Sequence, residues 1–263
     1  MTDAPLYVGV GLLVGTLVGL TGVGGGSMTT PILMLLFGQS PAVAVGTDLL
    51  FSATTKLVAT ASFGFSRRVD WPIVGRLLMG SLPGVAGGVA SLWLTHSTPG
   101  AADSITRHAL AIVLAAAALG LILKTPIQHL GLKLTARALG QVERHKVLVT
   151  ALAGLTLGVA VSLTSVGAGA LGVVMLLALY PLRLTSDRLV ATDIAHALPI
   201  TLIAGAGHAY LGHVNLDILA ALLLGSIPGV LLASRITLRL PDRITHTLIA
   251  LMLACVSARM LLG

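Results

Sequence analysis

Asp48, Ser52 and Lys56 follow one another at intervals of four residues inside an otherwise apolar run, so on a helix they form a single polar stripe. Asp48 and Lys56 would stand about 12 Å apart along that helix, too far for direct pairing. Each therefore needs another partner: a substrate, water, or a residue from elsewhere in the chain. Further on, Asp193 and His196 lie at i and i+3 and can face each other, with Thr192 one turn below His196 and Pro199 removing a backbone donor just beyond. A carboxylate beside an imidazole can pass a proton. Of nine acidic residues only Asp48 and Asp193 fall well inside apolar runs, and Lys56 is the one lysine so placed. A lone charge at the centre of a membrane helix costs on the order of 3 kcal/mol, so such residues face polar cavities. The plainer reading of both aspartates is helix capping, for which Thr-Asp is good chemistry.

Two glycine-rich turns offer a second kind of chemistry. One contains Thr21, Gly22, Gly24, Gly25, Gly26 and Ser27; the other contains Thr164, Ser165, Gly167 and Gly169. No Lys-Ser or Lys-Thr follows either turn and no third glycine completes a dinucleotide fingerprint, so nucleotide binding is a weak reading. Inside a membrane, glycines let backbone amides point at a ligand, and the start of the next half-helix carries partial positive charge. Two such turns meeting near the midplane would make a compact anion site, with Thr29, Thr30 and Ser162 as further hydroxyls beside them. Close helix packing is the alternative use of glycine, and Gly11, Gly15 and Gly19 at four-residue spacing suit it.

The elements that must position these groups occur twice. Gly11-Leu12-Leu13-Val14-Gly15 returns as Gly154-Leu155-Thr156-Leu157-Gly158, an offset of 143. Val45-Gly46-Thr47-Asp48 returns as Val190-Ala191-Thr192-Asp193, and Gly80-Ser81-Leu82-Pro83-Gly84 as Gly225-Ser226-Ile227-Pro228-Gly229, an offset of 145. A duplicated, glycine-interrupted apolar chain is the sequence pattern of an ion-coupled or anion transporter.

Hydrophobic residues make up 56% of the 263 and charged ones 10%, and the mean hydropathy is +0.99. Soluble domains carry about 25% charged residues, so this is an integral membrane protein. Its long apolar runs predict helices and exclude a barrel of short alternating strands. The net charge of +7 comes from Lys and Arg in short loops, where it sets orientation and does not signal nucleic-acid binding. The single cysteine, Cys255, reads as a small core hydrophobe. No catalytic triad or metal cluster is legible: His208 and His213 flank a loop whose nearest carboxylate is Asp217, and an interfacial position accounts for them. Neither an enzyme, nor a cofactor, nor a metal site is expected.

Apolar runs predict five helical segments per half: 5–21, 28–38, 42–65, 71–95 and 105–124, then 147–163, 170–181, 187–211, 216–239 and 243–262. Residues 1–124 thus form a first membrane repeat, 125–146 a polar cytoplasmic linker and 147–263 a second repeat. The second segment of each half is too short to cross a hydrocarbon core about 30 Å thick. Segments one and two form either a hairpin that enters and leaves on one side or one broken helix that crosses. The hairpin puts all four basic clusters (Arg67-Arg68, the linker, Arg183 with Arg188, and Arg235 to Arg243) on one side. It is favoured for that reason, and it places both termini outside the cytoplasm. Each half then has odd crossing parity. The expected fold is an all-α polytopic membrane protein of two inverted-topology repeats, each opening with a glycine-broken hairpin or short helix pair.

The run TGVGGGS, then VGTDLL, RRVDW and GSLPG, with VATDIAHALPIT, GHVNLD and GSIPG in the second half, resembles the TauE/SafE sulfite-exporter family of bacterial membrane permeases. The likeness covers nearly the whole chain apart from the linker. It implies a permease in the bacterial inner membrane for small sulfur-containing anions, sulfite or organosulfonates. It also carries a role over to the glycine turns at 22–26 and 165–169 and to Thr47, Asp48, Thr192 and Asp193. The charged residues of the third and eighth segments look like a subgroup variant, since many members are uncharged there.

Taken together, the expectation is a secondary transporter of a small anion working by alternating access. Turn amides and hydroxyls, Thr47, Thr192 and Lys56 would hold the anion, and Asp48, or Asp193 with His196, would carry a coupling proton. A passive anion channel with the same lining, and a membrane scaffold that transports nothing, are the competing classes.

Overall fold

A computed structural model describes the backbone of residues 4–21, 26–63, 68–95, 97–137, 141–167 and 169–235. Side chains are described over the same ranges except 20, 21, 26, 27, 62, 63, 125, 130, 133–137, 141–145, 186, 187, 234 and 235. Ten helices cover these residues: α1 (Ala4–Thr21), α2 (Gly26–Leu35), α3 (Pro41–Phe63), α4 (Trp71–Leu94), α5 (Ala101–Ile122), α6 (Lys124–Arg137), α7 (Gln141–Thr164), α8 (Ala170–Leu179), α9 (Ser186–Tyr210) and α10 (Leu216–Arg235). The described residues contain no strand. Six helices, α3, α4, α5, α7, α9 and α10, are long and apolar enough to cross a membrane. The all-helical polytopic fold expected from the apolar runs is thus observed, and nine predicted segments coincide with helices to within a few residues. The tenth segment, 243–262, lies outside the described residues. Helix α6 falls within the polar linker, where no helix was expected, and Gly131 lets it rest on the Ala178 backbone of α8.

Glycine governs how the repeats meet. Gly11, Gly15 and Gly19 of α1 press on the backbones of Leu222, Ser226 and Val230 of α10, where a Cβ would collide. Gly154 and Gly158 of α7 press in the same way on Leu77 and Ser81 of α4. The second pair of contacts is the first with the halves exchanged, at the offsets of 143 and 145 read from the sequence. The reverse faces follow suit: Gly225 and Gly229 abut Val8 and Leu12, and Gly80 and Gly84 abut Ala151 and Leu155. Each repeat therefore lends its first long helix to the other, and the small residues bring backbones into direct van der Waals contact.

The register of these contacts fixes helix directions. Along α1, contacts advance from Leu222 to Val230 as the chain advances from Gly11 to Gly19, so α1 and α10 run parallel. Thr47 meets Asn215 and Thr55 meets Ser226, so α3 runs parallel to α10 as well. Helices α7 and α4 are parallel by Gly154–Leu77 and Gly158–Ser81, and α9 joins them by His196–Ser81 and Gly207–Val89. Between α3 and α9 the register reverses: Gly46 lies against His213 and Leu50 against Gly205. So α1, α3 and α10 point one way and α4, α7 and α9 the other, and in these three equivalent pairs (α1 with α7, α3 with α9, α4 with α10) the partners run in opposite directions.

Helices α2 and α8 have 10 residues each, about 15 Å of rise, half of what a crossing requires. Because α1 and α3 are parallel, α2 must bring the chain back toward the end where α1 began. The parallel directions of α1 and α3 are those the hairpin expects. The same directions gather Arg68, Arg183, Arg188, Arg235 and the start of α7 at one end of the bundle. There Asp70 is buried and accepts two hydrogen bonds from Arg183, Nε to Oδ2 at 2.7 Å and Nη2 to Oδ1 at 2.8 Å, and one from Arg188 at 3.3 Å. At the opposite end Asp103 Oδ1 accepts from the Ala42 amide at the start of α3 at 2.9 Å, and the position equivalent to Asp70 is the neutral Asn215. Gly212 (φ 76°) reverses the chain after α9, His213 N–H reaches the His208 carbonyl at 2.9 Å, and Asn215 Oδ1 caps α10 by accepting from the Asp217 and Ile218 amides.

Candidate functional site

The polar residues of the apolar runs meet where antiparallel α3 and α9 are flanked by α2, α8 and the turn after α7. Asp48 is fully buried. Its Oδ2 accepts from Thr30 Oγ1 of α2 at 2.6 Å and its Oδ1 accepts from Ser52 Oγ one turn along α3 at 3.4 Å. Ser165, from the second repeat's glycine turn, faces the same carboxylate. Its hydroxyl is buried without a hydrogen-bond partner among the described residues. Its backbone holds φ at 57°, the sole positive φ of a non-glycine residue in the described chain. Such a conformation costs a Cβ-bearing residue about 1 kcal/mol or more, so the surrounding turn imposes it.

That turn is built by its own polar groups. Thr164 Oγ1 donates to the Ala160 carbonyl at 2.6 Å and accepts from the Val166 amide at 3.1 Å. Gly167 (φ 139°) and Gly169 (φ 131°) take conformations closed to other residues. The Gly167 carbonyl accepts from the Gly172 amide at 2.9 Å, which uses one of the orphan donors that open α8, and the Gly169 carbonyl accepts the helix's first regular bond from Val173 at 3.1 Å. His208, which the sequence reading placed at an interface, is fully buried, and its Nε2 meets the Ser162 carbonyl at 2.8 Å at the end of α7. It caps the helix that the glycine turn breaks.

Lys56 is 2% exposed and interacts electrostatically with Asp193 first and Asp48 second. The strongest charge acting on it thus belongs to the other repeat. Asp193 is buried with its Oδ1 unpaired among the described residues. That oxygen occupies the space where a Cβ on Gly172 would stand, in the first turn of α8. A carboxylate there benefits from the positive end of the half-helix. His196, equally buried, does not close a pair with Asp193; its Nε2 meets Ser81 Oγ of α4 at 2.9 Å.

Thr47 and Thr192 are placed as ties between repeats. Thr47 Oγ1 accepts from the Asn215 amide and Thr192 Oγ1 from the Asp70 amide, both at 3.0 Å and both fully buried. The two bonds are again one contact with the halves exchanged. Gly22, Gly24 and Gly25 lie outside the described residues, as do the side chains of Thr21 and Ser27; Gly26 opens α2. Two contributors escaped the sequence reading. Ser81 and its equivalent Ser226, bonded to His196 and Thr55, sit in the Gly-Ser-x-Pro-Gly motifs that the sequence offers only as markers of the repeat. A hydroxyl kept at the same place in both apolar copies was the signal.

A protein-family model, the sulfite exporter TauE/SafE, matches residues 7–260. The chain belongs to that family. A probable membrane transporter protein of Bacillus subtilis, YjnA, is 37% identical over 234 residues, covering 89% of this chain and 90% of its own length. A second from the same organism, YunE, is 36% identical over 69 residues, 26% of this chain and 25% of the relative. No solved structure matches. With its membrane-length helices, family membership makes the chain a multi-pass membrane transporter and sets it outside the enzyme classes.

Proposed function

We propose that the protein moves a small sulfur-containing anion, sulfite or an organosulfonate, across the bacterial inner membrane by alternating access between two inverted repeats, coupled to protons. The observation that carries this reading is the buried ammonium of Lys56, from the first repeat, under the electrostatic influence of Asp193 from the second, whose Oδ1 has no hydrogen-bond partner among the described residues. A substrate anion and Asp193 are then rival counterions for one cation. Protonating Asp193 frees Lys56 and the opening turn of α8 for the anion, held also by the turn amides and hydroxyls around Ser165, Gly167 and Gly169. Losing the proton returns the carboxylate and expels the anion. The opposed directions of equivalent helices support the inverted repeats, and the basic residues gathered at one end support a cytoplasmic location for that end with the N-terminus opposite.

Thermal stabilisation of the purified protein by sulfite, sulfate, thiosulfate and simple sulfonates tests the substrate class, because a ligand of the folded state raises apparent stability. One or more sulfur oxyanions should stabilise the wild type but not Lys56→Met. Uptake into proteoliposomes against an anion gradient, driven by an imposed pH gradient, separates a transporter from a channel, since a channel cannot concentrate its ion.

A further inference from the structure

Among the described residues the buried charges do not balance. Asp48, Asp193 and Lys56 form one electrostatic group, two carboxylates to one ammonium, and Asp70 belongs to its own arginine cluster at the end of the bundle. Once Lys56 is matched by Asp193 or by the substrate, Asp48 is one negative charge in a bilayer interior without its own counterion. An uncompensated charge there is expensive. We infer that Asp48, Thr30, Ser52 and Ser165 form a binding site for a monovalent metal cation of sodium's size, which adjoins the anion site at Ser165 and takes up a coupling ion.

Five side-chain oxygens converge there from three elements: two of the carboxylate, one each from Thr30 on α2 and Ser52 on α3, and that of Ser165 on the turn between α7 and α8. All are hard donors, and each hydroxyl can rotate its proton away and offer a lone pair. A proton needs one acceptor; a shell of oxygens is what a hard cation needs. The Ser52–Asp48 separation of 3.4 Å suits a small ion, and the 2.6 Å contact from Thr30 is a hydrogen bond that opens when the hydroxyl turns a lone pair to the ion. Neighbouring oxygens of an octahedral shell with bonds of about 2.4 Å, near the calcium range and shared by sodium, stand about 3.4 Å apart, and a larger ion needs them wider. A single carboxylate neutralises a monovalent ion, whereas a divalent one would leave excess positive charge beside Lys56. Ser165 is the independent sign of a ligand: its buried hydroxyl lies close enough to Asp48 to act on the carboxylate, yet it has no hydrogen-bond partner among the described residues. Because Thr30 and Asp48 belong to one repeat and Ser165 to the other, a cation held by all of them would tie the repeats together and report its presence to the alternating movement.

The site stands on its own geometry; only the coupling role rests on the transporter reading. The test is thermal unfolding of the purified full chain in detergent at fixed pH, with sodium chloride replacing choline chloride at constant ionic strength. Sodium should stabilise the wild type saturably and potassium much less. Ser165→Ala and Ser52→Ala should raise the half-saturating sodium concentration about fivefold or more, and Asp48→Asn should abolish the response. Equal stabilisation by sodium and choline, or a Ser165→Ala variant that titrates like the wild type, overturns the inference. Stabilisation by acid that sodium does not alter does so too, since it makes Asp48 a proton site. If Asp48→Asn fails to fold, the two serine variants decide. Sulfite added without sodium separates this inference from the anion reading. A sodium response without any anion response leaves the cation site and removes the proposed substrate class; the converse removes the cation site alone.

Discussion

Asp48 and Asp193 occupy the same place in two copies of one motif, yet their surroundings are chemically opposite. Asp48 is ringed by Thr30, Ser52 and Ser165. At the positions corresponding to Thr30 and Ser52 the other copy has Val173 and Ala197, and Asp193 Oδ1 has no hydrogen-bond partner among the described residues. Lys56 likewise faces Thr201 across the repeat relation, and Phe51 faces His196. Duplication fixed a symmetric backbone, and substitution on it made one carboxylate hydroxyl-rich and left the other to the lysine. The transporter would then keep its two charge-handling tasks apart: a cation at Asp48, and exchange of Lys56 between Asp193 and the anion.

The largest break in that comparison is Lys56→Met. Transport in proteoliposomes should fall to background while the protein still assembles; full transport by this variant would remove the lysine from the mechanism. Next is Asp193→Asn, which removes the carboxylate that acts most strongly on the ammonium. Stranding a buried charge costs about 3–5 kcal/mol, so a clear drop in unfolding temperature is expected, partly restored by a sulfur oxyanion that binds in the carboxylate's place. A variant as stable as the wild type would show that Lys56 is not paired with Asp193.

Gly15→Ala and Gly158→Ala test the symmetric part of the comparison. Each puts a methyl group into the backbone of a helix from the other repeat, at Ser226 and Ser81 respectively. Overpacking of this kind costs about 1–3 kcal/mol, and the two losses should match within error in a denaturation series. A large inequality would mean that the α1–α10 and α4–α7 seams are not equivalent.

Smaller still is Asp70→Asn, which copies the neutral Asn215 onto the ionic end. Arg183 and Arg188 are nearly half exposed, so solvent screening limits the loss to about 1 kcal/mol. The smallest change is Val173→Thr, which offers Asp193 the hydroxyl that Thr30 gives Asp48. Stability should move by about 0.5 kcal/mol or less. If the environments define the tasks, the variant should still lack a second sodium response unless Ala197→Ser is added.

Much of this was legible in the chain. Glycines at four-residue spacing located the seams, because only their absent side chains allow backbone contact. The two Thr-Asp pairs located the charged core, and the basic loops sorted the ends. What the sequence could not carry were contacts between halves. Asp48 and Lys56 were seen to need partners, but Ser165 and Asp193 became visible only once α3 and α9 were set antiparallel. Helical spacing suggested that His196 would face Asp193; the packing of α4 brought Ser81 to it instead. Thr47 and Thr192, which the family resemblance marked as binding positions, turned out to hold the opposing repeat's loop by a backbone amide. Helix α6 went unread because its mean polarity concealed a face that rests on α8.

The central claim is that the carboxylate of Asp193 and the transported anion compete for one ammonium. It is tested most directly by measuring how a simple alkanesulfonate, whose own charge is constant with pH, shifts the unfolding temperature of wild type, Asp193→Asn and Lys56→Met between mildly acidic and mildly alkaline conditions. Wild type should respond more in acid, Asp193→Asn should respond equally at both, and Lys56→Met should not respond. An anion response that survives in Lys56→Met, or one that vanishes in Asp193→Asn, would contradict the account.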